Sequence, residues 1–245
     1  MTESASQAQS APSTASTNGG WQSPGYRSAR TRARWATVLV GITSAIAAFA
    51  ALFVAGGFSL LDQAELGLLS ATEGEQFDRT ATALGVWLWA AYLASAIAVL
   101  AWLSRSVENV PPLGGGTPRL SPRWAIGWWF VPIANLWKPY GIVRDLWTRL
   151  ATPARRRGSG VLTAWWVLWV VSAITDRVTR QVSRNAETID ELRGALSVSF
   201  VATVGVFVAG VLFILVIREI QARADERALA LAVPAGPSPS GDEPA

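Results

Sequence analysis

Cysteine and histidine are both absent from the 245 residues. Their absence excludes disulfides, thiolate nucleophiles, Cys/His metal sites and general-base catalysis by imidazole. Lysine occurs once, at Lys138, so the basic residues are otherwise all arginine. Charge is scarce: Asp, Glu, Lys and Arg make up 16% of the chain, where a soluble domain carries about 25%. The deficit is concentrated in long uncharged runs, and the mean hydropathy is +0.29. Such runs suit lipid rather than a water-facing surface. The net charge of +4 and pI of about 10.3 would also suit nucleic acid, but the arginines flank the apolar runs. They are read as topology determinants and contacts to anionic phospholipid, with no nucleic acid as partner.

Four runs are long and apolar enough to cross a bilayer, whose core of about 30 Å takes about 20 helical residues. They span about 35–61, 81–103, 160–176 and 195–217. Ahead of the second and fourth stand candidate capping boxes, Thr72 with Glu75 and Thr188 with Glu191, in which side chain and backbone each satisfy an orphan donor of the other. Val178 and Val182 continue the third helix past its apolar run, and the fourth persists to near Pro234. Alanines recur at four-residue spacing at Ala47, Ala51 and Ala55, and at Ala90, Ala94 and Ala98. Such stripes let helices approach closely in lipid, although alanine is common throughout this chain. Residues 1–26 and 233–245 lack apolar periodicity and are expected to be disordered tails around a membrane domain of 27–232.

A fifth apolar block, Trp124–Trp137, is only 14 residues long and contains Pro132. That length suits an interfacial or re-entrant segment. Ser121 followed by Pro122 marks a helix start, and the segment is expected to run to about residue 150. Pro132 and Pro139 should interrupt its hydrogen bonding. Charge argues against a fifth crossing. The leader carries Arg27, Arg30, Arg32 and Arg34 against Glu3, and residues 104–160 carry nine basic residues against Glu108 and Asp145. The loop 62–79 holds five carboxylates against Arg79, and 176–193 is balanced. Four crossings put both basic segments on one side, as the positive-inside rule requires, with both termini cytoplasmic.

The expected fold class is therefore all-α: a polytopic membrane helix bundle of four transmembrane helices plus one Trp/Pro-rich interfacial or re-entrant helix. The candidate functional segment comprises Trp124, Trp128, Trp129, Phe130, Pro132, Asn135, Lys138, Pro139, Arg144 and Trp147. Lys138, Arg144 and Arg149 are expected to meet lipid phosphates while Ile142, Val143, Leu146 and Trp147 point inward. Asn135 and carbonyls freed by Pro132 would offer polar contacts in a lipid or small-molecule groove. The plainer reading is a brace packed against the bundle, since aromatic belts are common at interfaces. Arg27, Arg30, Arg32, Arg34, Arg155, Arg156 and Arg157 are candidate anionic-lipid contacts. Arg177, Arg180 and Arg184 share a helical face but follow the apolar run, so they are read as a solvated, ion-paired extension and not a voltage sensor. Asp62 and Glu65 are read as solvated flanks, with a cation entrance as the alternative.

The pattern PRWAIGWWFVPIANLWKPYGIVRDLW at Pro122–Trp147, with its Phe130-x-Pro132-x-x-Asn135 core and Trp124, Trp128, Trp129, Pro139 and Leu146–Trp147 around it, resembles a bacterial membrane-protein family, domain of unknown function 4328. The resemblance implies an actinobacterial-type plasma-membrane protein and brings no activity or cofactor with it. A noncatalytic scaffold, sensor or regulatory partner in the bacterial envelope, with a second copy or another membrane protein as partner, best fits the absence of a catalytic constellation. An oligomeric transporter or channel component is the alternative, although the apolar runs hold no Asp, Glu, Lys or Arg. A lipid-modifying enzyme would have to rely on Asp145, Asp62 or Glu65.

Overall fold

The computed structural model describes residues 25–155, 158–183 and 188–232. Nearly all of both expected tails, and Arg156, Arg157 and Arg184, lie outside these residues, as does the side chain of Arg180. No strand occurs among the described residues. The helices are α1 (Arg30–Glu65), α2 (Ala71–Glu108), α3 (Pro122–Gly127), α4 (Lys138–Arg149), α5 (Gly160–Ser183) and α6 (Ile189–Ala232). Short 3-10 turns stand at Ala134–Leu136 and Pro153–Arg155. Four helices, α1, α2, α5 and α6, are long and apolar enough to cross a membrane.

Each crossing helix outlasts its apolar run. The 44 residues of α6 extend about 66 Å at about 1.5 Å per residue, roughly twice the thickness of a hydrocarbon core. Helix α1 ends where Gly67 takes φ +68°, with the Leu68 amide donating to the Gln63 carbonyl at 2.9 Å. The αL conformation closes the helix at little steric cost because glycine has no Cβ. The capping box of α2 then forms at Ser70 and Glu73, and not at Thr72 and Glu75. Ser70 Oγ accepts from the Glu73 amide at 3.3 Å, and Glu73 Oε2 accepts from the Ser70 amide at 3.0 Å. The earlier box wins because it is the first that can close after the glycine turn. Thr188 and Glu191 form the reciprocal pair ahead of α6, at 3.1 and 3.3 Å.

Helix α6 is the central element, packed against α1 on one side and α5 on the other; α1 also packs against α2. Small and hydroxyl side chains mark the closest approaches. Ser44 of α1 lies against Gly210 of α6, and Ser172 of α5 against Gly205. Thr43 Oγ1 and Ser95 Oγ share a buried hydrogen bond of 2.8 Å between α1 and α2. Ala47 and Ala51 are buried, but Ala55 and Ala90 are exposed, so neither alanine stripe is used along its whole length. In lipid, where apolar burial gives little drive, such close packing is what holds helices together.

The best-packed core sits at the end of the bundle where α1 begins and α6 ends. It joins Trp102, Leu103 and Val107 of α2 to Ile142, Val143 and Leu146 of α4, Leu162 and Trp165 of α5, and Phe213, Val216 and Ile217 of α6. Trp165 stacks on Phe213 at 4.2 Å with an interplanar angle of 8°. The segment between α2 and α5 therefore begins and ends at that same end, as four crossings require.

Candidate functional site

The Trp-rich segment is not one helix. Helix α3 stops at Gly127, turns follow through Ile133, and α4 starts anew at Lys138. Pro132 lies in the turn and is exposed. Pro139 breaks nothing: it occupies the first turn of α4, where the missing N–H has no intrahelical partner in any case. Ser121 caps α3 in an extended conformation but makes no side-chain cap hydrogen bond.

The turn is inserted between α2 and α5, which do not pack closely on each other among the described residues. Helix α3 lies against α2. On the other side, the Trp166 indole donates to the Leu136 carbonyl at 3.2 Å, and the Tyr140 hydroxyl meets Thr163 Oγ1 at 3.0 Å. The Trp129 ring reaches Trp166 and Trp169 in edge contacts at 6.4 and 6.2 Å. Trp169 in turn donates to the Tyr92 hydroxyl of α2 at 3.1 Å. Trp169 is nine residues along α5 from Gly160, which places it about 14 Å from the helix start. The segment thus re-enters the bundle as an aromatic wedge and returns to the side on which it began.

Within the wedge, Trp128 and Trp129 are half-buried, and their indole N–H groups have no partner; the same holds for Asn135 Oδ1. Lys138 Nζ sits 5.0 Å from the Trp128 ring centroid, and Trp124 is 5.4 Å from the same ring. Phe130 is 71% exposed, and Trp124, Ile133 and Trp137 are exposed as well. Arg144 is exposed and has no carboxylate partner among the described residues. Ile142, Val143, Leu146 and Trp147 are buried. Arg149, however, turns inward, with Nε donating to Asp145 Oδ2 at 2.8 Å and Nη1 to the Gly115 carbonyl at 3.2 Å. Its charge is therefore neutralised inside the protein instead of being offered to lipid.

The basic residues divide in the same way. Arg30 pairs with Asp225 at 2.9 Å, and Arg32 donates to the Ala101 carbonyl at 2.9 Å. Arg155 is ion-paired with Glu226 and lies 3.4 Å from Glu219. The hydrogen bond and charge of Glu226, with a smaller contribution from Glu219, hold the Arg155 guanidinium above the usual arginine range. Arg27 is anchored through its backbone, which exchanges hydrogen bonds of 3.3 and 2.8 Å with the buried Asn109 side chain. The guanidiniums of Arg27 and Arg34 are exposed and have no carboxylate partner among the described residues. At the opposite end, Arg193 bridges Asp62 at 3.1 Å and Glu65 at 2.7 Å. That bridge ties α1 to α6 and uses the charge a cation entrance would need.

Burial singles out one arginine that the sequence shows only as part of the basic flank after the fourth apolar run. Arg223, on the part of α6 that outlasts the apolar run, is 1% exposed. Its Nε donates to Glu219 Oε1 at 3.1 Å, its Nη1 donates to the Trp147 carbonyl at 2.6 Å, and the guanidinium lies 4.1 Å over the Trp147 ring. Only Nη2 lacks a partner. Arg227 likewise donates to the carbonyls of Leu113 and Ala151 at 3.1 and 2.8 Å. A signal was available: Glu219 and Arg223 are four residues apart, and Ile217, Ile220 and Ala224 keep a helical apolar face beyond the membrane run.

Among the described residues no cluster of three or more carboxylates is placed to hold a metal ion. No curated protein and no solved structure matches the chain. A family model described as Domain of unknown function (DUF4328) matches residues 66–222, from the α1–α2 turn through the wedge and most of α6. Because that match covers well over half of the 245 residues, the chain belongs to the DUF4328 family.

Proposed function

We propose that this chain is a noncatalytic protein of the bacterial plasma membrane, a scaffold, sensor or regulatory partner that engages lipid through its aromatic wedge. The observation that carries this reading is the wedge itself. A proline-containing turn enters between α2 and α5 and leaves Phe130, Ile133 and Trp137 exposed beside Lys138 and Arg144. Exposed aromatics next to unpaired cations match the layered chemistry of a headgroup region, with apolar rings deeper and cations toward phosphate. The lack of histidine and cysteine leaves few groups for an enzyme to use.

Charge asymmetry supports cytoplasmic termini. Arg27, Arg34, Arg123, Lys138 and Arg144 gather at the terminal end, whereas Asp62, Glu65, Glu73, Glu75 and Asp78 lie at the other. Because the chain has no cysteine, single thiols can report both orientation and depth. In intact cells an impermeant thiol reagent is expected to label Leu68→Cys and to spare Ser159→Cys until the membrane is opened. Labelling of Ser159→Cys in sealed cells would reverse the orientation.

Depth is read with spin labels at Phe130→Cys and Ile133→Cys in reconstituted vesicles. Collision with oxygen is expected to exceed collision with a water-soluble nickel chelate at both sites, and the order should invert at Arg144→Cys. A water-like signature at Phe130 would remove the lipid-engaging reading. Solute flux through vesicles holding the pure protein would replace it with a transporter or channel.

A further inference from the structure

A groove of about 260 Å³ opens beside the wedge, on the outer face of α4 at the terminal end of the bundle. Its apolar floor is formed by Val107, Leu120, Ile142 and Leu146, and its rim carries Arg119 on one side and Trp137 with Lys138 on the other. Asp145 also lines it, but Arg149 holds that carboxylate at 2.8 Å. Arg119 lies 3.6 Å from Asp145 and its side chain is 83% exposed, so it is the looser of the two partners. Lys138 has no carboxylate partner among the described residues and is steadied over the Trp128 ring at 5.0 Å. Arg119 and Lys138 against one carboxylate, which Arg149 already engages, leave the rim net positive above an apolar floor.

Gly141 sharpens this picture. It lies inside α4 and lines the groove, and a Cβ there would meet nothing within 4 Å. Glycine inside a helix costs stability relative to alanine, and no internal contact requires it at this position. What its missing side chain does is keep the floor open.

We infer that this groove is a headgroup site for a net-anionic phospholipid, with Lys138 and Arg119 on the phosphate and the glycerol end over Gly141, Ile142 and Leu146. The inference rests on the wedge reading only in that the wedge places a bilayer beside the groove. The volume is below the 300–1,000 Å³ that is about typical of a whole-ligand pocket, so the groove takes the headgroup end while the acyl chains stay in the bilayer. A bilayer source is favoured over a soluble one because exposed Trp124, Phe130, Ile133 and Trp137 put acyl chains next to the opening. Selectivity follows from charge: a zwitterionic headgroup brings its own cation to a rim already net positive.

The test uses the full chain in neutral detergent, titrated with phosphatidylglycerol or phosphatidylcholine, with bound lipids counted by native mass spectrometry. The wild type is expected to retain one phosphatidylglycerol in preference to phosphatidylcholine. Lys138→Gln should weaken that adduct about fivefold, the effect of one basic residue near an anionic lipid. Gly141→Leu, whose Cβ enters open space, should abolish it while leaving the fold intact. Arg79→Gln, exposed at the opposite end of the bundle, should change nothing. Equal retention of the two lipids, or an undiminished adduct in Gly141→Leu, would overturn the site. Displacement by inorganic phosphate as effective as by phosphatidylglycerol would overturn lipid as the occupant. A water-like signature at Phe130 together with a Gly141-dependent adduct would remove the wedge reading and leave the groove, whereas the converse result would remove the groove alone.

Discussion

Replacing Arg223 with alanine is expected to destabilise the folded protein by about 3–5 kcal/mol, the cost of breaking a buried ion pair from one side. Three interactions go together. The guanidinium satisfies Glu219, which is itself buried, donates to the Trp147 carbonyl at the end of α4, and stacks on the Trp147 ring. Alanine strands the Glu219 carboxylate, for which only Arg155 at 3.4 Å remains, and it frees a buried carbonyl. The measurement is reversible unfolding in mixed micelles, with amide exchange along α4 as the local readout. Arg223→Lys restores the charge but not the planar fork or the stacking, and should recover only part of the loss. Arg223→Met combined with Glu219→Leu should recover part of it, because no carboxylate is then stranded, while the Trp147 carbonyl stays without its donor. A loss below about 1 kcal/mol for Arg223→Ala, the size of a surface pair, would show that water reaches this charge.

The second large effect is expected at the crossing of α1 and α6. A Cβ added at Gly210 would overlap Ser44 Oγ and stand 3.3 Å from Ser44 Cβ and 3.7 Å from Val40 Cγ1. Ser44 cannot simply turn away without giving up its 2.8 Å hydrogen bond to the Val40 carbonyl. Gly210→Leu should therefore push the helices apart and destabilise by about 3 kcal/mol or more, with Gly210→Ala in the ordinary overpacking range of about 1–3 kcal/mol. Ser44→Ala in the Gly210→Ala background should restore part of the loss, since the hydroxyl is the atom in the way. Gly41 serves as the control: a Cβ there meets only Ile214 Cδ1 at 3.9 Å, so Gly41→Ala should not lower the unfolding midpoint and should raise it slightly, alanine being the better helix former. Equal effects at Gly41 and Gly210 would refute close packing at this crossing.

These two sites show what could and could not be read along the chain. The four crossing helices were legible because an apolar run of sufficient length is a property of consecutive residues. Their ends were legible only in part. Thr188 and Glu191 form the capping pair that their spacing suggests, whereas α2 starts one box earlier, at Ser70, because Gly67 ends α1 just upstream. The alanine spacing in α1 marked a real contact face at Ala47 and Ala51 but not at Ala55. The tightest contacts use Gly205 and Gly210, whose partners Ser172 and Ser44 sit on other helices.

The wedge was legible as a short, proline-broken aromatic block, too short to cross and held on the basic side by its flanks. That it enters between α2 and α5 depends on those helices not closing on each other, and no local pattern states that. The arginines of the leader and of residues 104–160 all read as lipid contacts or topology determinants, because a sequence shows charge without surroundings. The fold separates the cations: Arg223 turns inward to satisfy buried acceptors, Arg149, Arg30, Arg32 and Arg155 take partners nearer the surface, and Lys138, Arg144 and Arg34 have no carboxylate partner among the described residues.

The sequence by itself determined how many helices are long and apolar enough to cross a membrane, because run length is a one-dimensional quantity. Tertiary structure alone decided which helices touch, where the wedge goes and which cations remain available. A buried guanidinium must find its acceptors in space, and for Arg223 the carbonyl that receives it is 76 residues away along the chain.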